Sequence, residues 1–187
     1  MVLNPAGCWP TKNWPLENYA AFARRWREGP RGAGMRFVVL GTSALADKAA
    51  FLRAQLGDAL IDLVGRTTPS EAFAVVRRAS LVLSEDSGLM HMAWVSGVPT
   101  LALFGSSRAD WSAPLGQRSL CLSSSDLPCG ECMSDACAMG DVRCLTRYSP
   151  AVVYERALTL VSPHGSSTSV STFSDSGRNL TFARDSR

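Results

Sequence analysis

Three short polar segments carry the side chains best suited to chemistry. They are the loop with Gly7, Thr11 and Lys12, the triplet Gly41-Thr42-Ser43, and the run Glu85-Asp86-Ser87-Gly88-Leu89-Met90-His91. A lysine on such a loop is a point charge suited to phosphate. Small residues at a helix start, here Ser87-Gly88, let backbone N–H donors approach an anion. Together the three segments are expected to surround a diphosphate. Neither GxGxxG after the first strand nor GxxxxGK[ST] is present, so the usual dinucleotide and P-loop signatures are excluded.

Each of these residues also has a plainer role open to it. Lys12 suits a solvated surface, His91 suits a satisfied core position at a helix start, and Asp86 suits an N-cap or a partner for the helix dipole. Trp14 reads as a packing anchor. Glu85, Arg66 and Thr67 suit the wall of a cleft or an ordinary turn equally well.

A second group of reactive side chains is Cys129, Cys132, Cys137 and Cys144, spaced C-x2-C-x4-C-x6-C. Four thiolates this close suit tetrahedral Zn²⁺ if the loop folds around it, although the spacing differs from paired CxxC knuckles. The residues between them lack the basic and aromatic side chains of a nucleic-acid-binding knuckle. A structural zinc site, free thiols and a redox-dependent disulfide all remain open.

The elements that must position these groups repeat a strand-loop-helix unit. Val2-Leu3 is a short strand, followed by a Gly, Pro and Thr-rich loop to Trp14-Pro15 and a helix from Leu16 that ends before Gly29-Pro30. The pattern continues with a strand at Met35 to Leu40, a helix at Ala44 to Leu56, a strand at Leu60 to Val64 and a helix at Pro69 to Ala79. Next come Leu81-Val82-Leu83 as a strand, Glu85 to Gly88 as a turn, a short helix at Met90 to Val95 and a strand at Pro99 to Phe104. Residues 105 to 148 show no clear period, and Ser149 to Val161 is helical again. Strands apolar throughout, alternating with helices, predict an α/β fold with a Rossmann-like, doubly wound parallel sheet. The three polar segments then lie at carboxyl ends of strands, where such sheets bind ligands. Residues 163 to 187 are Ser, Thr and Gly-rich and are expected to be a disordered tail, leaving 1–162 as the folded domain.

Composition narrows the class. The chain has 187 residues, of which 46% are hydrophobic and 19% charged, the balance of a globular protein able to bury a core. Its net charge of +3 is spread without a Lys/Arg block, which excludes a large electrostatic footprint for nucleic acid. The longest apolar runs are strand-sized, well short of the roughly 20 residues that a spanning helix needs. Met1 to Pro5 shows no basic region followed by an apolar stretch, so a cytoplasmic location is expected, with the six cysteines as thiols or metal ligands.

The order of motifs carries a family resemblance. Leu3-Asn4-Pro5 through Lys12-Asn13-Trp14-Pro15 resembles the opening of the donor domain in the heptosyltransferases, the lipopolysaccharide core ADP-heptose transferases of glycosyltransferase family 9. Leu63 to Thr67, Ser84 to Ala93, and Gly97-Val98-Pro99 to Leu103-Phe104-Gly105 follow the family pattern in sequence, so the resemblance spans roughly residues 2 to 161. It implies the C-terminal, donor-binding half of a GT-B glycosyltransferase that transfers heptose with inversion, and no required cofactor. The acceptor and the general base would belong to an N-terminal domain absent from these residues. Carried over by position, Lys12 neutralises the donor phosphates, Ser87 and Gly88 with His91 close around the diphosphate, Asp86 accepts from sugar hydroxyls, and Asp47 reaches the ribose. Implied partners are an ADP-heptose-like nucleotide sugar and a lipopolysaccharide core acceptor, with peripheral contact at the inner face of the inner membrane. Cys8 and Pro10 depart from the small hydroxyl residues frequent in that loop. Relatives often carry similar cysteines, which favours a local structural feature for the cluster.

Two readings from other classes stand beside this one. A non-catalytic nucleotide-sugar or metal-binding interaction module fits the cysteine cluster, and a nucleotide-sugar 2-epimerase shares the two-domain architecture.

Overall fold

A computed structural model describes residues 1–162, and the expected tail at 163–187 lies outside the described residues. Strand and helix alternate along the chain: β1 (Val2–Asn4), α1 (Leu16–Glu28), β2 (Phe37–Gly41), α2 (Ala46–Leu56), β3 (Leu60–Val64), α3 (Pro69–Val76) and β4 (Val82–Glu85). After them come α4 (Gly88–Val95), β5 (Thr100–Leu103), α5 (Ala109–Ser112), β6 (Ser119–Leu122), α6 (Arg143–Thr146) and α7 (Pro150–Val161). Among the described residues all strand pairings are parallel, and the six strands run in the order β3-β2-β1-β4-β5-β6. This is the doubly wound, Rossmann-like sheet that the alternation of apolar strands and helices predicts.

Two apolar faces explain why the strands lack polar alternation. Leu3, Val39 and Leu83 pack on one side with Tyr19, Phe22 and Trp26 of α1, Leu52 of α2, and Val153 and Ala157 of α7. Their neighbours Val2, Leu40 and Val82 face the opposite layer, formed by Ala72 and Val76 of α3 and Ala93 of α4. Consecutive strand residues point to opposite faces, so a sheet covered twice must be apolar at both positions.

Helix starts follow local chemistry. Thr68 and Glu71 form a reciprocal capping box at α3, with Pro69 in the first turn. Ser149 caps α7 by accepting from the Val152 N–H, again with Pro at the start.

Several boundaries differ from expectation, for identifiable reasons. Met35 is drawn out of β2 by a turn in which its N–H donates to Gly32. The chain leaves α3 at Val76 through tight bonds from Arg78 to Val75 and from Ala79 to Val76. The β4–α4 region moves in the other direction. The strand runs on through Glu85 and the helix begins at Gly88, leaving only Asp86-Ser87 as the turn. The stretch without a clear period, 105 to 148, holds the edge strand β6 and two one-turn helices.

The crossovers run from β1 outward to β2 and β3 on one side, and from β4 to β5 and β6 on the other. Between β1 and β4 the direction of progression reverses, so their following loops diverge and leave a crevice at the carboxyl edge. The Lys12 loop and the Asp86 turn meet at its edge.

Candidate functional site

The loop after β1 folds back over the end of β4. Gly7 N donates to Glu85 Oε2 at 2.6 Å and Trp14 N to Glu85 Oε1 at 2.7 Å, so one buried carboxylate holds both ends of the loop. Between these ends, Thr11 Oγ1 hydrogen-bonds Ser106 Oγ and donates to the Ser134 carbonyl. Ser106 N returns a bond to the Thr11 carbonyl at 3.1 Å. Trp14 is fully buried, edge-on to Tyr19 with ring centroids 5.0 Å apart, and its Nε1 donates to the Tyr148 carbonyl. It is the packing anchor its position suggested.

Held this way, Lys12 is only 7% exposed and its Nζ donates to Asp86 Oδ2 at 2.8 Å. The ammonium also lies 4.6 Å from the centre of the Trp9 ring. Asp86 receives further bonds from Ser107 Oγ at 2.8 Å and Ser112 Oγ at 3.4 Å. Burial pushes the Asp86 carboxyl up, but hydrogen bonds from Lys12 and Ser107 and the Lys12 charge together hold it below the usual carboxylate range. A fixed cation and a fixed anion therefore share one edge of the crevice.

A cavity of about 440 Å³ opens at the ends of β1 to β4, with Ser87, the residue after Asp86, in its wall. Thr42, Leu45, Thr67, Leu89 and Met92 give it mixed hydroxyl and apolar walls, and Ser87 and Gly88 bring the N-terminus of α4 to its edge. A Cβ built on Gly88 would meet nothing within 4 Å, so this glycine faces open space. Ser87 does not cap its own helix, because its hydroxyl accepts from Asn4 Nδ2 at 2.6 Å. The first N–H groups of α4 are left available to an anion.

The remaining expected residues are placed as follows. His91 lies one turn into α4, half-buried, and its Nδ1 accepts from Trp94 Nε1 at 3.1 Å; its ring is outside the cavity wall. Asp47 is exposed in the first turn of α2, and Leu45, not Asp47, represents that segment in the cavity. Thr67 lines the cavity whereas Arg66 is exposed. Glu85 belongs neither to a turn nor to the wall. It ends β4, is fully buried, and has a carboxyl pushed up to about 7 by burial, against the N–H bonds, the Lys48 charge and Tyr19.

Ser107 and Ser112, the hydroxyls that complete the Asp86 environment, carry no signal in the sequence because they fall in the aperiodic stretch. The cavity residues Leu45 and Met92 look like ordinary helix residues until the strand ends are brought together.

Cys129, Cys132, Cys137 and Cys144 line one smaller cavity of about 160 Å³, together with Thr11 and Ser106. Among the described residues no three His, Cys, Asp or Glu side chains stand together as a ligand set for a metal ion. The four-thiolate tetrahedron, one of the three states open from the sequence, is thus not preassembled: the thiols are spread around the cavity wall, with Cys129 and Cys132 exposed. Backbone N–H groups of Val142 and Met139 point at Cys137 and hold its thiol below the ordinary value.

Comparison with known proteins bears on the family and the fold. The model of glycosyltransferase family 9 (heptosyltransferase) matches residues 1–143. Lipopolysaccharide heptosyltransferase 1 of Pseudomonas aeruginosa is 32% identical over 129 residues, which is 69% of this chain and 35% of that protein. The chain spans about a third of the length of such curated relatives. Among solved structures, the family 9 glycosyl transferase of Veillonella parvula superposes with a TM-score of 0.74 at 26% identity, over 86% of this chain and 45% of that one. The E. coli heptosyltransferase WaaC, solved with ADP-2-deoxy-2-fluoro heptose, gives 0.64 at 18% identity, over 84% and 42%.

Proposed function

The chain belongs to glycosyltransferase family 9, the heptosyltransferases, and from that premise we propose that it forms the donor-binding half of a glycosyltransferase using an ADP-heptose-like nucleotide sugar. One observation carries the reading: a cavity of about 440 Å³ at the strand ends has an available helix N-terminus at its edge, and Asp86, next in the chain to its lining residue Ser87, is paired with Lys12.

The chemistry follows from what each group offers. The nucleoside occupies the cavity between Leu45, Thr42 and Met92. The diphosphate lies over the N–H groups at Ser87 and Gly88, where the helix dipole favours negative charge. Lys12 neutralises part of that charge and stabilises the nucleoside diphosphate as it departs. His91 closes the same side from the next turn. Asp86, kept ionised by Lys12 and the serine hydroxyls, accepts hydrogen bonds from the sugar and orients it. Transfer with inversion is a single displacement and needs a base beside the acceptor hydroxyl. That base and the lipopolysaccharide core acceptor are assigned to a partner domain of the kind that makes up the rest of the relatives. We assign the reaction to the cytoplasm, at the inner face of the inner membrane, on the strength of its nucleotide-sugar donor alone. Separately, no helix among the described residues is long and apolar enough to cross a membrane. The family relation is to transferases, which sets the epimerase reading aside.

Calorimetric titration with ADP, ADP-sugar and UDP-sugar tests the proposal. ADP and ADP-sugar are expected to bind in preference to UDP-sugar. A folded chain that takes up no nucleotide at millimolar concentration would overturn it.

A second reading concerns the cysteine loop alone. We infer that the four thiols lining one cavity would hold a structural Zn²⁺, as a metal-dependent interaction module, only in a closed form of the loop that brings them together. Protein purified without chelator is then expected to carry one zinc per chain. Metal-free protein with four freely titrating thiols in that loop would exclude it.

A further inference from the structure

We propose that Glu85 is a positioning residue of the donor site, its carboxylate acting as the clamp that sets where the Lys12 loop stands. The inference rests on the donor-site reading for its functional consequence, but its structural content stands on the loop itself.

The loop between β1 and α1 has no ladder to fix it. Its two ends are tied instead to one side chain, Gly7 N at 2.6 Å and Trp14 N at 2.7 Å, each on a different carboxylate oxygen. No other hydrogen bond is made by either N–H among the described residues. Lys12 lies between these points, so both ends of its segment are referenced to the last residue of β4, one position before Asp86. Space enforces the contact, since a Cβ built on Gly7 would lie 2.6 Å from the Lys12 carbonyl oxygen and 2.8 Å from Glu85 Oε2.

The charged groups facing Glu85 serve the same loop. Tyr19 of α1 contacts the carboxylate, and its hydroxyl is 3.4 Å from the Asn4 carbonyl. Lys48 of α2 lends its charge to Glu85 while its Nζ donates to the Pro5 carbonyl at 2.7 Å and to the Asn13 side chain. Only a carboxylate presents an acceptor on both oxygens; a glutamine in the same volume would turn an NH₂ toward one of the two amides. The buried acid is thus matched to its two donors.

The test uses the full chain as wild type, Glu85→Gln, Lys12→Met and the double variant, with ADP as the probe. In wild type the Gly7 and Trp14 amide proton resonances are expected to move together in a pH titration with one midpoint near 7, and in Glu85→Gln the titration vanishes. Amide exchange at those two positions is expected to rise about tenfold in Glu85→Gln, and ADP affinity to fall about tenfold, because a bond to a charged acceptor is lost. The double variant is expected to bind no worse than Lys12→Met alone, since Glu85 acts through Lys12. Unchanged amides in Glu85→Gln, or losses that multiply in the double variant, overturn the clamp. If Glu85→Gln fails to fold, amide exchange in the wild type decides, and unprotected Gly7 and Trp14 amides overturn the proposal. Wild type that binds no ADP defeats the donor reading, while the amide measurements still judge the clamp.

Discussion

At the scale of single residues, the site sets two carboxylates of different burial side by side. Lys12 and Asp86 form a pair at the crevice edge, whereas the next carboxylate, Glu85, is sealed beneath them. Truncating Lys12 to Met is expected to weaken ADP and ADP-sugar alike, by about tenfold, because the lost partner is the phosphate charge. Asp86→Asn is expected to weaken ADP-sugar more than ADP, and the two titrations compared by calorimetry check the distinction. Glu85 also leaves a mark on stability. Its folded carboxyl is raised from 4.5 to about 7, so the native state holds a proton that the unfolded chain releases. Its contribution is present in full below pH 4.5 and is lost as pH rises through 7, up to about 3 kcal/mol. Asp86 works the other way, its carboxyl lowered, with stability lost as pH falls through its folded value. The two windows are separate, and denaturant unfolding between pH 5 and pH 8 is expected to show a decline in wild type that flattens in Glu85→Gln.

At the scale of elements, helix starts do two different jobs. α3 closes its own N-terminus with the Thr68–Glu71 box, and the Glu71 carboxyl is held below its usual value by bonds from Thr68. Thr68→Ala is expected to lower unfolding free energy by about 1 kcal/mol, read from a thermal or denaturant melt. α4 leaves its start open because Asn4 engages the Ser87 hydroxyl, so the equivalent loss of that hydroxyl in Ser87→Ala acts on the ligand site more than on the helix. The 105–148 stretch is a third kind of element, with little regular structure but many ties. Ser106 bonds the Lys12 loop, Ser107 and Ser112 bond Asp86, and Glu131 accepts from Ala109 N at 2.9 Å. Its order comes from these contacts and not from periodicity.

At the scale of the whole molecule, the reversal of strand progression between β1 and β4 creates the crevice, and ligand binding there should be felt globally. Saturating ADP at about a hundred times its dissociation constant adds roughly 2.7 kcal/mol to the native state. A rise in melting temperature of about 5–10 °C is expected, read by differential scanning calorimetry. No rise with ADP, against a clear rise with another nucleotide, would reassign the base that the cavity accepts.

How far the sequence alone reaches is set by which signals are local. Apolar strands such as Phe37 to Leu40, the helical spacing of Leu16 to Trp26 and the Pro and Gly stops are written within single segments, and the doubly wound fold follows from their alternation. The polar run Asp86 to Gly88 was legible for the same reason, and so was Lys12. The short edge strand β6 was not, because four residues of modest burial do not declare a period. Only the tertiary structure decided that Asp47 is exposed, that His91 turns to Trp94, that Leu45 and Met92 share one cavity, and that Glu85 is buried under the loop. Each of those facts depends on which strand ends lie next to one another, and that adjacency joins residues up to about eighty positions apart. Periodicity reports the face a residue takes within its own element, but the partner across the crevice is chosen by the order of the strands.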